Sequence, residues 1–195
     1  MRGLAVALID KSDFASGTSS KSSRLVHGGV RYLEHGHFKL VFEASAERRR
    51  LLNIAPHLVQ PLPFTWPIYE GQRLPLWKIN AGLTLYDMLA LFRNVERHHR
   101  LNQEWLAHHE PTLRSRLLDG GVRYFDASTD DARLTLANVQ DAAARGAIMA
   151  NHVVFAGTEQ DKDGYRVAKV WDAHGGDQFT VRARAFVNAT GPWSD

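Results

Sequence analysis

Leu4-Ala5-Val6-Ala7-Leu8-Ile9-Asp10 decides the fold class, because six consecutive apolar residues end on a carboxylate. A half-exposed strand alternates in polarity. An unbroken apolar run this short fits a strand buried on both faces of a parallel sheet. Ser16-Gly17-Thr18-Ser19-Ser20-Lys21-Ser22-Ser23-Arg24 follows, and then Leu25-Val26-His27-Gly28-Gly29. From about Phe38 to Ala55 apolar residues recur at helical spacing (Phe38, Val41, Phe42, Leu51, Leu52, Ile54), and Pro56 closes that helix by disfavouring helical geometry in the residue before it.

Further along, Pro61, Pro63, Pro67 and Pro75 punctuate an extended segment around Phe64-Thr65-Trp66. A helix is predicted from about Trp77 to Phe92, then a polar, His-rich connection and a strand at Val122-Arg123-Tyr124-Phe125. Asp130-Asp131 opens a helix to Arg145, with acids at its N-terminus and Gly146 where a C-terminal glycine belongs. Three extended runs follow, Val153–Gln160, Tyr165–Ala173 and Gln178–Ala183, joined by turns at Asp163-Gly164 and Gly175-Gly176. Ala185-Phe186-Val187-Asn188-Ala189-Thr190-Gly191 reads as a last apolar strand ending in a small-residue turn. The fold class is therefore α/β, with an antiparallel β meander and an inserted segment. Residues 1–58 and 128–195 belong to one domain, and 59–127 form the insert.

Composition narrows the function. With 195 residues, 44% hydrophobic, the chain can bury a core, and no apolar stretch is long enough to span a bilayer. The N-terminus lacks the pattern of a secretory signal. The absence of cysteine removes disulfides, thiolate catalysis and cysteine-ligated metal. These features fit a cytoplasmic protein. Residues 1–100 carry fourteen Lys/Arg against eight Asp/Glu, and residues 101–195 ten against thirteen, so the basic half suits an anionic ligand. The one dense run, Arg48-Arg49-Arg50, reads as a solvated helix face rather than a nucleic-acid patch.

Several residues are candidates for chemistry. Asp10 ends a strand where dinucleotide folds bind a ribose hydroxyl about 20 residues after a Gly-rich turn, yet an acid there more commonly caps a turn, and no G-x-G-x-x-G precedes it. The serine-rich stretch reads equally as a linker or as an anion-binding loop. His27-Gly28-Gly29 lets backbone approach a flat ligand, or simply turns the chain. Arg31-Tyr32 offers a forked contact to phosphate. His98-His99 and His108-His109 lack metal-site spacing and read as solvated, and no metal site is expected.

In series, these motifs resemble one family. Asp13-Phe14, the run from Gly17 to Glu34 with its serines, His27-Gly28-Gly29 and Arg31-Tyr32-Leu33-Glu34, Ala55-Pro56-His57-Leu58, Leu85-Tyr86-Asp87, Asp130-Asp131-Ala132-Arg133-Leu134 and Val187-Asn188-Ala189-Thr190-Gly191-Pro192-Trp193 are similar to FAD-dependent glycerol-3-phosphate dehydrogenases. The resemblance implies a partial FAD-binding Rossmann-like domain with a substrate-domain insert. It implies that Asp10 holds the adenosine ribose and that Thr18, Ser19, Ser23, Arg24 and Leu25 wrap the pyrophosphate and flavin. Val154 would meet the adenine by its backbone, and Ala189, Thr190 and Gly191 would close over the cofactor. It further implies His27 as proton acceptor, Arg31 and Tyr32 at the phosphate of sn-glycerol 3-phosphate, and oxidation to dihydroxyacetone phosphate with electrons passed to quinone. No nucleic acid is implied, and peripheral attachment to the inner face of the cell membrane is compatible with it.

The same resemblance places the family's first strand and Gly-rich turn before Met1 and the rest of its substrate domain after Asp195. The expectation is a truncated form that takes up little FAD by itself. Two alternatives stand beside it: an inactive remnant or interaction module without FAD, and a glycerol-3-phosphate oxidase using oxygen.

Overall fold

The computed structural model describes residues 3–91 and 95–193. In chain order the regular elements are β1 (Ala7–Ile9), β2 (Leu25–Val26), α1 (Phe38–Ile54), β3 (Val59–Tyr69), α2 (Leu76–Leu89), β4 (His99–Leu101), α3 (Gln103–His109), β5 (Leu118–Thr129), α4 (Asp131–Ala144), β6 (Ile148–Ala150), β7 (Val153–Gln160), β8 (Arg166–Asp172) and β9 (Gln178–Ala183). Short 3-10 turns lie at Thr18–Ser20, Val30–His35 and Gly191–Trp193. The chain forms two compact units, residues 22–130 (the central unit) and residues 1–21 with 131–195 (the terminal unit). Residues 22–58 thus pack with the proline-rich segment, and the divisions fall at 21/22 and 130/131. The predicted residue Phe92 lies outside the described residues.

In the terminal unit β1 and β6 pair in parallel, Ala7 opposite Ile148 and Ile9 opposite Ala150. This is the α/β element expected of the opening run. The strand, however, is shorter than its apolar stretch, and Leu4, Val6 and Leu8 are exposed rather than buried on both faces. The reason is width: among the described residues a two-stranded ribbon offers too little sheet to cover both faces. β7, β8 and β9 form the antiparallel meander in simple up-and-down order, with Val153, Ala168 and Val170 as its core. Gly164 (φ 81°) and Gly176 (φ 74°) make its turns in a conformation that glycine adopts at no steric cost. Residues 185–190 form no strand among the described residues, against the reading of the sequence. Val187 there is 87% exposed.

In the central unit β5 is the axis. It pairs antiparallel with β3 on one side and with β2 and β4 on the other. Pro61, Pro63 and Pro67 occupy alternate positions of β3. A residue without an N–H fits an antiparallel ladder only where its nitrogen points away from the partner, so all three face the open edge. Against the β3–β5 face lie two helical seams of equal spacing: Val41, Ser45 and Arg48 from α1, and Ile79, Leu83 and Tyr86 from α2. Val41, Ile68, Ile79, Leu83, Tyr86 and Val122 form one apolar cluster. The α1 seam differs from its apolar pattern. Phe38, Phe42 and Ile54 are exposed, whereas Arg48, expected on a solvated face, is 2% exposed. Asp126 of β5 is the cause, because its buried charge draws the arginine inward.

Candidate functional site

The terminal unit carries Asp10, Thr18, Ser19, Val154, Ala189, Thr190 and Gly191. Asp10 caps the chain as it leaves β1: its Oδ1 accepts the Ser12 N–H at 2.9 Å, and its backbone bonds Ala150 and Val153. The bond from the Val153 N–H to Asp10 O sets Val154, half-buried opposite Trp171 in the meander, beside the end of β1. The 188–191 turn is shaped by Asn188, whose Oδ1 accepts both the N–H and the hydroxyl of Thr190 (3.1 and 2.7 Å). Trp193 then lies on Gly17, where a Cβ would stand 3.3 Å from the indole ring. Two turns more than 160 residues apart in sequence thereby come together, one bearing Thr18 and Ser19, the other Thr190 and Gly191.

The central unit carries Ser23, Arg24, Leu25, His27, Arg31 and Tyr32. Arg24 has φ 57°, a region unfavourable for a residue with a Cβ. Bonds on both sides hold it there: its N–H donates to Ser22 Oγ at 3.0 Å, and its carbonyl accepts the Thr129 N–H at 3.0 Å. The guanidinium is left exposed. Leu25 pairs with Ser128 and so ties this loop to β5.

After β2 the chain bends at His27-Gly28-Gly29. Gly28 is buried, and its N–H donates to Asp126 Oδ1 at 3.0 Å. A Cβ there would overlap the Tyr86 hydroxyl and stand 2.7 Å from Ser45 Oγ, so only glycine fits. Gly29 is left-handed (φ 74°) and starts the Val30–His35 turn, which presents Arg31 and Tyr32 at the surface with His27. Arg73 bonds Glu34 at 2.8 Å and holds its carboxyl below the usual range. Tyr124 of β5 is stacked on Phe64 with centroids 5.3 Å apart. Burial, then the Asp126 charge, push its hydroxyl up to about 12 against the positive charge of Arg31.

Beneath the turn is a buried polar group with no apolar counterpart. Arg48 Nη1 donates to Tyr86 Oη (2.6 Å), to the Phe125 carbonyl (3.3 Å) and to Asp126 Oδ1, and Tyr86 Oη donates to Asp126 Oδ1 at 3.0 Å. Burial holds the Tyr86 hydroxyl well above its ordinary range, so it stays a donor. Sequence reasoning missed these three residues. Leu85-Tyr86-Asp87 was a motif without a role, and Arg48 read as surface. The available signal was spacing, since Val41, Ser45 and Arg48 stand at i, i+4 and i+7.

The histidine pairs divide. His98, expected to be solvated, is half-buried: its Nδ1 lies 2.7 Å from Asp87 Oδ2 and its Nε2 3.2 Å from Asn80 Oδ1. His109 is stacked on Trp105 with centroids 4.1 Å apart. Among the described residues no cluster of three or more His, Asp or Glu is placed to hold a metal. No described helix is long and apolar enough to cross a membrane. One open cleft of about 630 Å3 lies between Leu76, Arg100, Trp105 and Asp119 and includes none of the predicted residues.

Residues 1–195 match the family model described as FAD dependent oxidoreductase. Over its whole length the chain is 43% identical to a glycerol-3-phosphate dehydrogenase of Synechocystis sp. and 38% identical to the mitochondrial enzyme of Rattus norvegicus, covering 36% and 28% of those proteins. The crystal structure of the Bacillus halodurans glycerol-3-phosphate dehydrogenase complexed with FAD superposes on 98% of the chain, with TM-score 0.70 and 32% identity, and 30% of that protein is covered. The chain therefore spans about a third of the length of the relatives it matches.

Proposed function

Because the chain belongs to the FAD dependent oxidoreductase family, we propose that it forms the FAD- and substrate-facing turns of an sn-glycerol 3-phosphate dehydrogenase. The observation that carries this reading is the His27–Tyr32 turn, which exposes an imidazole, a guanidinium and a phenol from one buried glycine anchor.

The residues present suit FAD by their chemistry. In the terminal unit Thr18, Ser19 and Thr190 supply hydroxyls on two adjoining small-residue turns, and Asp10 supplies a carboxylate of which one oxygen is engaged by Ser12. Such a set matches the ribose hydroxyls and pyrophosphate of a dinucleotide. Bound FAD would supply the two-electron oxidising power by which the secondary alcohol at C2 of the substrate becomes a ketone.

The remaining work falls to side chains of this protein. Arg31 binds the phosphate through paired N–H donors, and Tyr32 adds a hydroxyl. Fixing that remote end orients C2 and its hydroxyl. His27 accepts the hydroxyl proton on a ring nitrogen, a task suited to imidazole because its ordinary titration range adjoins neutral pH. The electrons leave to a quinone, and the protein works as a peripheral partner of the membrane that holds it.

Anaerobic flavin bleaching tests this reading in the FAD-loaded protein. sn-Glycerol 3-phosphate is expected to bleach the flavin, whereas glycerol, which lacks the phosphate, bleaches it poorly. Arg31→Ala should raise the required substrate concentration by roughly 10²-fold, the loss of about two charge-assisted hydrogen bonds. Equal bleaching by glycerol, or an unchanged requirement in Arg31→Ala, overturns the substrate assignment.

A further inference from the structure

We propose that Asp126, held in one orientation by Arg48 and Tyr86, is the positioning residue of the His27–Tyr32 turn, a role that rests on the function proposed above.

A buried ion pair is a poor choice for packing alone. Apolar residues of similar volume usually serve as well or better, because two charges must leave water. Arg48 and Asp126 nevertheless lie 2% and 3% exposed beside an apolar cluster, with the Tyr86 hydroxyl between them. What the pair does is directional. Three donors converge on Asp126 Oδ1, two from side chains on separate helices and one from the main-chain N–H of Gly28, 98 residues away in sequence. The helices thus fix the carboxylate, and the carboxylate fixes one amide of the turn.

That amide is adjacent to His27. On its other side Gly29 opens the turn that carries Arg31 and Tyr32. All the buried groups lie too deep to touch a substrate, so they act through the main chain. Position 28 leaves no space for a side chain, and the close approach of Tyr86 and Ser45 removes the remaining freedom. The resulting arrangement is a rigid anchor beneath an exposed imidazole and guanidinium, as a pre-organised site requires.

The test compares Tyr86→Phe and Asp126→Ser in the full chain by amide hydrogen exchange, with Val122 in the β3–β5 ladder as internal reference. In Tyr86→Phe the fold is retained, and Gly28 is expected to exchange roughly tenfold faster relative to Val122. The FAD-loaded form of that variant is expected to need several-fold more sn-glycerol 3-phosphate for half-bleaching, because the phosphate contacts of Arg31 are no longer held in place. Asp126→Ser, where it folds, should show the larger effect on both readouts. A purely structural role predicts instead that Gly28 and Val122 accelerate together, and that result, or unchanged Gly28 exchange in folded Tyr86→Phe, overturns the proposal. The exchange ratio does not depend on the substrate. A normal response to Arg31→Ala with an unchanged ratio sinks the positioning role alone, and the reverse pattern sinks the substrate assignment alone.

Discussion

α2 and α4 are each 14 residues long, yet α2 buries Ile79, Leu83, Tyr86 and Asp87 while α4 buries no residue. The same contrast runs through the two units that hold them. In the central unit two helices close one face of a sheet and the core extends to charged groups. In the terminal unit the buried core is Val153, Ala168 and Val170, and Leu4, Val6, Ile148, Phe155, Phe179, Val187 and Trp193 stay exposed. Amphipathic sequence is therefore insufficient for burial; a helix needs a facing layer wide enough to receive its stripe. The unit with the larger buried core carries the turn assigned to substrate. The unit with the smaller buried core carries most of the residues assigned to FAD.

The sharpest way to break this contrast is to remove one member of the buried pair. Arg48→Ala should destabilise the central unit by about 3–5 kcal/mol, because Asp126 is left charged and unpaired in the interior. Urea unfolding followed by a probe in residues 22–130 measures it, and a loss below 1 kcal/mol would show the pair to be solvated after all. Next in size is a matched pair of truncations. Leu83→Ala, at 1% exposure, should cost about 2–5 kcal/mol, and Leu136→Ala in α4, at 39%, about 0.5 kcal/mol. Equal losses would erase the distinction between the units.

Ligand should narrow the gap. At about 100 times its dissociation constant, FAD should add about 2.7 kcal/mol to the protection of residues 7–20 and 188–193. Amide exchange measures this, and greater protection of residues 118–129 than of those turns would contradict the assignment.

The smallest effect is the pH dependence of one ion pair in the meander. Burial raises the Asp161 carboxyl, but the Arg182 hydrogen bond and the N–H groups of Tyr165 and Asp163 outweigh it and hold it below the ordinary 3.8. Its contribution is thus complete above the unfolded value and is lost as pH falls through the folded one. Arg182→Met should remove the advantage near neutrality and leave melting unchanged in strong acid, with residues 22–130 indifferent throughout. A wild-type advantage that persists in strong acid argues for packing on Tyr165 instead.

What could be read from sequence follows the range of the forces involved. α1, β7 and β9 were read to within a residue or two because periodicity and turn glycines are local. β6 was missed, since Ile148–Ala150 gives too short a signal. β5 extends well beyond the predicted Val122–Phe125, because Asp119, Gly120, Gly121 and Asp126 interrupt its pattern while the ladder with β3 continues past them. The site divides in the same way. His27, Arg31 and Tyr32 were visible as motif residues, whereas Arg48 and Asp126 acquire meaning only from each other, 78 residues apart. A charge in a helix reads as solvated until the partner that draws it inward is known.

The prolines of β3 have a consequence for self-association. Between Pro61 and Pro67 the outer edge of that strand offers a single main-chain donor, that of Thr65, to any strand approaching it. Cross-β growth needs an uninterrupted row of donors and acceptors. The sheet that holds the buried ion pair is therefore a poor template for fibril formation along its longest free edge. A population of partly folded central units should coagulate through side chains before it polymerises through backbone.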